Sequence, residues 1–231
     1  VIDDFVEVAV GTAVVVDAAA VEALLGEEEG LQGLGLLLEC RILGQAAFEL
    51  VRHAVELPVV GLDVDLVVVG NTISRGNPEL EAVLERKIRH CSLPEAIRDQ
   101  FLWGSRSIVL TGTHGKTTTT SLTGWLLTHG QLDPTVLVGG IALNFGDRGS
   151  SYRMGGGRDF VIEGDEYDSA YFDKTAKYLK YLPDIAVIGN IEFDHADIYT
   201  DLDAVRLAFR RLVNLVPRNG MLLLGADSPH A

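Results

Sequence analysis

The chain has 231 residues, of which 47% are hydrophobic and 23% are charged, so it is long enough for one large or two ordinary globular domains, and we expect two. No apolar run approaches the length of a membrane span, and the run at residues 8–16 lacks a preceding basic segment, so we expect neither a membrane helix nor an export signal. The 33 acidic and 19 basic residues give a net charge of −14, and no basic stripe offsets it locally, which disfavours nucleic acid as a partner.

The cysteine content favours a reducing compartment. Cys40 and Cys91 are the only two cysteines, and they form neither a CxxC motif nor a metal-type cluster. We therefore expect a cytoplasmic protein. An anionic substrate of so acidic a chain would need local help from a metal ion, a lysine or backbone N–H groups.

Residues 1–60 differ from the rest of the chain. They contain no lysine and only two arginines, Arg41 and Arg52, and they carry an acidic cluster at residues 27–29. The chain also begins without Met. Our hypothesis is that this region is divergent, or that it results from a reading-frame or assembly error.

Regular elements begin near residue 64. The stretch VDLVVVGN predicts a buried strand, and NPELEAVLERKI predicts a helix with Asn77 as its N-cap and Pro78 at its first position. SLPEAIRDQFLW predicts a second helix. The short segment at residues 104–106 predicts a domain boundary, which gives domains at residues 1–104 and 105–231.

The second predicted domain alternates strands and helices. SIVLTG, TVLVGG, DFVIEG, DIAVIGN and GMLLLG predict strands, and residues 116–129 and 201–213 predict helices. Continuous apolar strands separated by helices indicate an α/β fold with a mainly parallel sheet that is buried on both faces.

The loop after SIVLTG has the pattern of a phosphate-binding turn. Gly112 and Gly115 allow successive backbone N–H groups to converge at a helix N-terminus, and Lys116 could reach the β- and γ-phosphates of a nucleotide. The Thr117 hydroxyl lies where a magnesium ligand is expected. Leu110 replaces the first glycine of the usual GxxxxGK[ST] pattern, so the match is a variant. The alternative is a glycine-rich turn with a solvated lysine.

Two further loops carry polar side chains at predicted strand ends. Glu163 lies at the tip of DFVIEG, where it could bind magnesium, and three more acidic residues follow it: Asp165, Glu166 and Asp168. The alternative is a solvated acidic loop. NIEFDHADIYTD, after the next strand, offers Asn190 and His195, and its spacing alone leaves open whether the histidine contacts a metal or substrate or lies on the surface.

Three stretches in this order, GTHGKTTT, EGDEYDSAYFDK and NIEFDHADIY, resemble the Mur ligases, the ATP-dependent amide-bond-forming enzymes of bacterial cell-wall synthesis. VVVGNTISRGNPELEAVLERKI resembles the end of that family's UDP-sugar-binding domain, so the resemblance covers about residues 64–231. It implies a Rossmann-like N-terminal domain, partial or divergent here, followed by a P-loop central domain. We expect the central domain to be truncated at residue 231 and the family's C-terminal domain to be absent.

The resemblance also implies roles for individual residues. ATP would lie on the turn residues Gly112, Thr113, His114, Gly115, Lys116, Thr117 and Thr118, and Mg²⁺ on Thr117, Glu163 and His195. Lys116, Glu163 and His195 would be catalytic, while substrate or metal would be supported by Asp165, Glu166, Asp168 and Asn190. Several family members use a carbamylated lysine downstream of the histidine. Because the corresponding stretch here has Arg210, a lysine-bridged second metal is not expected.

Within the family, the stretches DEYD, FDK and EFDHADI are most similar to the muropeptide ligases of wall recycling. These join UDP-N-acetylmuramate to L-alanyl-γ-D-glutamyl-meso-diaminopimelate through an acyl phosphate. The UDP-N-acetylmuramate–L-alanine ligases are the alternative. A P-loop ATPase or GTPase switch and a non-catalytic nucleotide-binding fragment are further alternatives, although NIEFD lacks the lysine of the guanine-specific NKxD motif. We expect no ligase turnover from residues 1–231 alone.

Overall fold

The computed structural model describes residues 14–16, 66–146, 149–194 and 198–231. The described residues belong to two compact units, Val1–Ala96 with Ser169–Asp173, and Ile97–Asp168 with Lys174–Ala231. Most of residues 1–60, and also His195, lie outside the described residues. The domain boundary expected after residue 104 stays a prediction.

The described residues of the first unit include a small sheet and a capped helix. Strand β2 (Leu66–Val69) pairs antiparallel with β1 (Val14–Val16) and parallel with β3 (His90–Ser92). Helix α1 (Pro78–Glu85) begins as predicted, because the Asn77 side chain accepts a hydrogen bond from the Leu80 N–H at 2.9 Å. The sheet and the helix bury a common apolar core of Val67, Val69, Ile73, Leu80 and Val83.

The predicted second helix changes its hydrogen bonding partway along. Helix α2 covers Leu93–Ile97, and Arg98–Leu102 continues as a π-helical turn. Ser92 and Glu95 form a reciprocal cap at its start, with the Ser92 N–H and hydroxyl donating to the Glu95 carboxylate at 2.9 and 2.7 Å. A single helix was predicted there, and the structure shows two helical segments.

The second unit is built on a six-stranded sheet. The remaining strands are β4 (Arg106–Thr111), β5 (Thr135–Ala142), β6 (Ser150–Arg153), β7 (Asp159–Gly164), β8 (Asp168–Ala170), β9 (Asp173–Ala176), β10 (Ile185–Ile188) and β11 (Met221–Leu224). The sheet order is β11-β10-β4-β7-β5-β6, and each neighbouring pair is parallel except β5 and β6. The predicted mainly parallel sheet is therefore confirmed. Strands β8 and β9 pair with each other as a separate hairpin, of which Ser169–Asp173 are grouped with the first unit.

Helices cover much of this sheet, but the apolar residues of its edge strand β11 are 37–53% exposed. The expectation of a sheet buried on both faces is therefore wrong for β11. Helix α3 (Lys116–His129) has the predicted bounds, and its Gly124 lies so close to Val136 of β5 that a Cβ would come within 2.7 Å of that side chain. Helix α4 (Leu202–Val213) buries Val205, Ala208, Phe209 and Leu212. The ring of Tyr178, in the 3₁₀ helix Lys177–Lys180, lies 5.6 Å from that of Phe209. None of the helices in the described part of the chain is long and apolar enough to cross a membrane.

The strand register brings three loops to one edge of the sheet. Thr111, the last residue of β4, pairs with Gly164 of β7 on one side and with Ile188 of β10 on the other. Because these strands are parallel and end level with one another, the loops that follow them leave from the same edge. These are the three loops in which the sequence predicts functional residues.

Candidate active site

The loop between β4 and α3 requires glycine at two positions. Gly112 has φ +138°, and a Cβ there would come within 3.0 Å of the backbone N and O atoms of Asn190. Gly115 has φ +79° and is the N-cap of α3, with no side-chain cap. The N–H groups of the first helical turn therefore have no side-chain cap, and the helix dipole favours an anion at this position.

The loop after β10 holds this turn in shape. The Asn190 carbonyl accepts from the Thr113 N–H at 2.9 Å, and its side-chain oxygen accepts from the His114 N–H at 3.0 Å. The Thr113 hydroxyl donates to the Glu192 carbonyl at 3.2 Å and accepts from the Glu192 N–H at 2.9 Å. Asn190 thus contacts the glycine-rich turn itself, while its predicted role towards substrate stays a prediction.

Lys116 lies folded back over the turn. Its ammonium group donates to the carbonyl oxygens of Gly112 and Thr113 at 3.1 and 3.2 Å. It also lies 2.8 Å from each carboxylate oxygen of Glu166. The Lys116 side chain is 14% exposed and the Glu166 side chain 3%. The pair is therefore largely removed from water, where a charge-assisted contact is strong.

Glu163 and Thr117, two of the expected magnesium ligands, lie in direct contact. Glu163 Oε2 accepts a hydrogen bond from the Thr117 hydroxyl at 3.0 Å and another from the Gly139 N–H at 2.7 Å. Gly139, in β5, was not singled out from the sequence. A Cβ at this position would lie 3.0 Å from Glu163 Oε1, so glycine leaves room for the carboxylate.

The Thr117–Glu163 pair has the oxygen donors that Mg²⁺ prefers. Magnesium is held in proteins by one or two carboxylates together with phosphate oxygens and water, so two protein oxygens beside the glycine-rich turn fit this ion. Among the described residues, no group of three or more His, Cys, Asp or Glu side chains could hold a metal. His195, the third expected ligand, lies outside those residues, so its role stays a prediction.

Asp165 and Asp168 are each paired with a lysine. Asp165 lies 2.6 Å from the Lys177 ammonium, and Asp168 lies 2.8 Å from that of Lys174. Burial disfavours the Asp165 carboxylate, but Lys177 and the Tyr167 N–H more than offset this and hold the pKa of Asp165 below its usual value. The predicted role of both carboxylates towards substrate stays a prediction.

Sequence reasoning did not identify two tyrosines behind the turn. The Tyr199 hydroxyl donates to the backbone carbonyl of Glu166 at 2.8 Å. Burial, and next the charge of Glu166, raises the pKa of Tyr199 to about 12. Burial also raises the pKa of Tyr178 well above its ordinary value. The only feature of the sequence that pointed to either tyrosine was the position of Tyr199 in the same stretch as His195.

An open cavity of about 490 Å³ lies beside the turn. Asn190 and Glu192 line it on one side, and Asp227 and His230 line it on the other. Its size is that of a small-molecule site. The Ile191 N–H donates to the Ser228 hydroxyl at 3.1 Å, which joins the two sides.

Comparison with known proteins agrees with this geometry. The family model described as the Mur ligase middle domain matches residues 110–231. The UDP-N-acetylmuramate–L-alanyl-gamma-D-glutamyl-meso-2,6-diaminoheptandioate ligase of Haemophilus influenzae is 42% identical over 167 residues, which are 72% of this chain and 36% of that protein. The UDP-N-acetylmuramate–L-alanine ligase of Methylobacterium radiotolerans is 40% identical over 164 residues, which are 71% of this chain and 33% of that protein.

A solved structure extends the similarity to the fold. The UDP-N-acetylmuramate:L-alanyl-gamma-D-glutamyl-meso-diaminopimelate ligase from Neisseria meningitides has a TM-score of 0.68 and 38% identity, over 72% of this chain and 53% of that one. The chain thus spans about a third of the length of the curated relatives it matches. The match to the family's middle domain includes the glycine-rich turn, the Glu163 loop and the Asn190 loop, and the chain therefore belongs to the Mur ligase family.

Proposed function

We propose that this chain is the ATP-binding part of a cytoplasmic ligase of peptidoglycan recycling. The reaction joins UDP-N-acetylmuramate to L-alanyl-γ-D-glutamyl-meso-diaminopimelate with ATP and Mg²⁺. The observation that carries the proposal is the approach of Thr117 to Glu163, at 3.0 Å, beside a glycine-rich turn that contains Lys116. Family membership and the names of two similar ligases support the same activity.

The residues of the turn would bind the triphosphate. The N–H groups at the start of α3 and the Lys116 ammonium supply positive charge to the phosphates. Thr117 and Glu163 would hold Mg²⁺, which when bound offsets the charge of the phosphates and of the carboxylate that approaches them. The cavity beside Asn190 would receive the nucleoside.

The chemistry needs positioning and charge rather than a protein nucleophile. A substrate carboxylate oxygen attacks the γ-phosphorus, the bond to the ADP oxygen breaks, and an acyl phosphate forms. An amine then attacks the acyl carbon, and phosphate leaves. Because two anions must approach each other in the first step, cationic groups such as Lys116 lower its barrier.

Isotope exchange in the full-length protein tests this proposal. Label should pass between ADP and ATP only when UDP-N-acetylmuramate is present, because the acyl phosphate returns its phosphoryl group to ADP. Replacing Lys116 by Ala should lower the exchange rate by about a hundredfold or more, because one preorganised charge is lost from the site. Arg211→Ala removes an exposed cation of α4 and should leave the rate unchanged.

Two alternatives give different results in the same assay. A P-loop switch would hydrolyse ATP without the sugar nucleotide and would show no such exchange. The L-alanine ligase is the second candidate, because a relative of that name is 40% identical to this chain. Product formation with L-alanine but not with the tripeptide would identify that enzyme and contradict our choice.

A further inference from the structure

We propose that Glu166 is a positioning residue for Lys116 that sets the affinity of the turn for nucleotide phosphates. It holds the ammonium group of Lys116 over the turn before the nucleotide binds. The phosphates must then compete with Glu166 for contact with that ammonium group. The inference rests on the proposed function, in which Lys116 binds the β- and γ-phosphates.

The contacts of Lys116 already engage its donors. An ammonium group has three N–H donors. Here they face three acceptors at 2.8–3.2 Å, which are the Gly112 carbonyl, the Thr113 carbonyl and Glu166 Oε1. A phosphate oxygen can therefore accept a hydrogen bond from Lys116 only by replacing one of these acceptors. Glu166 is the charged one, so it competes most strongly with the phosphate.

Glu166 cannot easily move aside. Its side chain is 3% exposed, and its backbone carbonyl accepts a hydrogen bond from the Tyr199 hydroxyl at 2.8 Å. The preceding residue, Asp165, is held by Lys177 at 2.6 Å. The backbone at Glu166 is thus held in place by the Tyr199 contact and by the Asp165–Lys177 pair. The carboxylate keeps its place beside the turn when an anion arrives.

Two opposite effects follow from this buried charge. A carboxylate close to the turn repels the phosphates and retains Lys116, which weakens nucleotide binding. The same carboxylate compensates a largely buried ammonium group, which stabilises the nucleotide-free protein. Neutralising Glu166 should therefore strengthen phosphate binding and lower the stability of the free protein.

The variant Glu166→Gln tests this in the full-length protein. Dissociation constants for ATP, ADP and AMP are measured by calorimetry, together with the melting temperature without nucleotide. We expect ATP and ADP to bind roughly tenfold more tightly, the equivalent of one hydrogen bond to a charged group. AMP should bind as in the wild type, because it has no β- or γ-phosphate for Lys116. The melting temperature should fall.

Asp159→Asn is the matched control. Asp159 is also a buried carboxylate, 2% exposed, and Arg106 Nη2 donates to it at 2.7 Å. It lies at the opposite end of the same two strands, β4 and β7, so its loss should lower the melting temperature without changing any dissociation constant. A purely structural role of Glu166 would give this same pattern.

Each outcome decides between the alternatives. Unchanged or weaker binding of ATP by Glu166→Gln overturns the inference, and so does an equal gain for AMP. If that variant does not fold, Glu166→Asp replaces it, because the shorter side chain weakens the ion pair with Lys116. The affinity for ATP must then rise by an intermediate amount. A wild-type protein that binds no ATP would instead overturn the proposed function, and this inference with it.

Discussion

The orientation of the Glu163 carboxylate depends on the backbone of Gly139. Its Oε2 atom accepts from the Gly139 N–H at 2.7 Å, so the backbone of β5 orients the carboxylate towards Thr117. Groups that orient a metal-binding carboxylate commonly affect the site almost as much as the ligand itself. Gly139 is therefore as much a part of the candidate site as the residues that the sequence predicts.

Replacing Gly139 by Ala should weaken magnesium-dependent ATP binding. The new Cβ would lie 3.0 Å from Glu163 Oε1, and the carboxylate must shift to make room. We expect the Mg²⁺ concentration that half-saturates ATP binding to rise roughly tenfold, as for other losses of a metal-orienting group. A magnesium titration at fixed ATP measures this.

Gly104→Ala is the control for that titration. Gly104 lies outside the site, and a Cβ there would meet nothing within 4 Å. This variant should titrate like the wild type. Equal midpoints for the Gly139 and Gly104 variants would contradict the role of β5 in orienting Glu163.

At the scale of single residues, the turn was predictable and its contacts were not. Gly112, Gly115 and Lys116 are close in sequence, and their order between a strand and a helix predicts a phosphate-binding turn. Glu166 was expected to support substrate or metal, which stays a prediction. Its contact with Lys116, 50 positions earlier in the chain, was not predicted. Such a partner depends on which strands become neighbours.

Helix α4 illustrates how an element carries its own start signal. The Asp201 carboxylate accepts from the Ala204 N–H at 2.8 Å, and the buried residues Val205, Phe209 and Leu212 follow with helical spacing. The sequence predicts the helix for these local reasons. Strand β6 (Ser150–Arg153) was missed, because its polar residues form a strand only by pairing with β5.

Replacing Asp201 by Ala should destabilise the protein through this cap. An unsatisfied N-terminal N–H group is left on α4, and the expected loss is about 1 kcal/mol in the free energy of unfolding. Asp201→Asn should lose much less, since asparagine also caps helices well. Urea unfolding of the two variants measures the difference.

Asp203→Ala is the matched control, two residues along the same helix. Asp203 is 89% exposed, and its pair with Arg206 at 3.4 Å is a surface ion pair. Such pairs contribute little, so its loss should change the free energy of unfolding by less than about 0.5 kcal/mol. If both alanine variants lost the same amount, the cap would not be the cause.

At the scale of the molecule, two tyrosines behind the turn join distant segments of the second unit. Tyr199 follows the Asn190 loop and donates to the backbone of Glu166 in the loop after β7. Tyr178 follows the hairpin and packs on Phe209 of α4. Both hydroxyls lie where burial makes their ionisation costly.

These tyrosines predict a loss of stability at alkaline pH. Burial raises the pKa of Tyr199 from its ordinary value near 10 to about 12, so the unfolded chain loses this proton first. The stabilisation is fully present below pH 10 and is lost as the pH rises to about 12. Each such tyrosine lowers the free energy of unfolding by at most about 1.4 kcal/mol per pH unit in this window.

Urea unfolding of wild type and Tyr199→Phe at pH 9 to 12 checks this expectation. The variant should be less stable at pH 9, where it lacks the hydrogen bond to Glu166, and its decline above pH 10 should be shallower. The pKa of Tyr178 is also raised, so the free energy of unfolding of the variant should still fall in part above pH 10. Parallel curves would contradict a role for the Tyr199 hydroxyl.

The sequence by itself determined the class of fold and the glycine-rich turn of this protein. Both depend on local features: apolar runs of strand length, helix caps, and glycines next to Lys116 and Thr117. Only the tertiary structure decided that Gly139 orients Glu163 and that Glu166 holds Lys116. These contacts join residues 24 and 50 positions apart, and they exist because the order and register of parallel strands bring separate loops to one edge of the sheet.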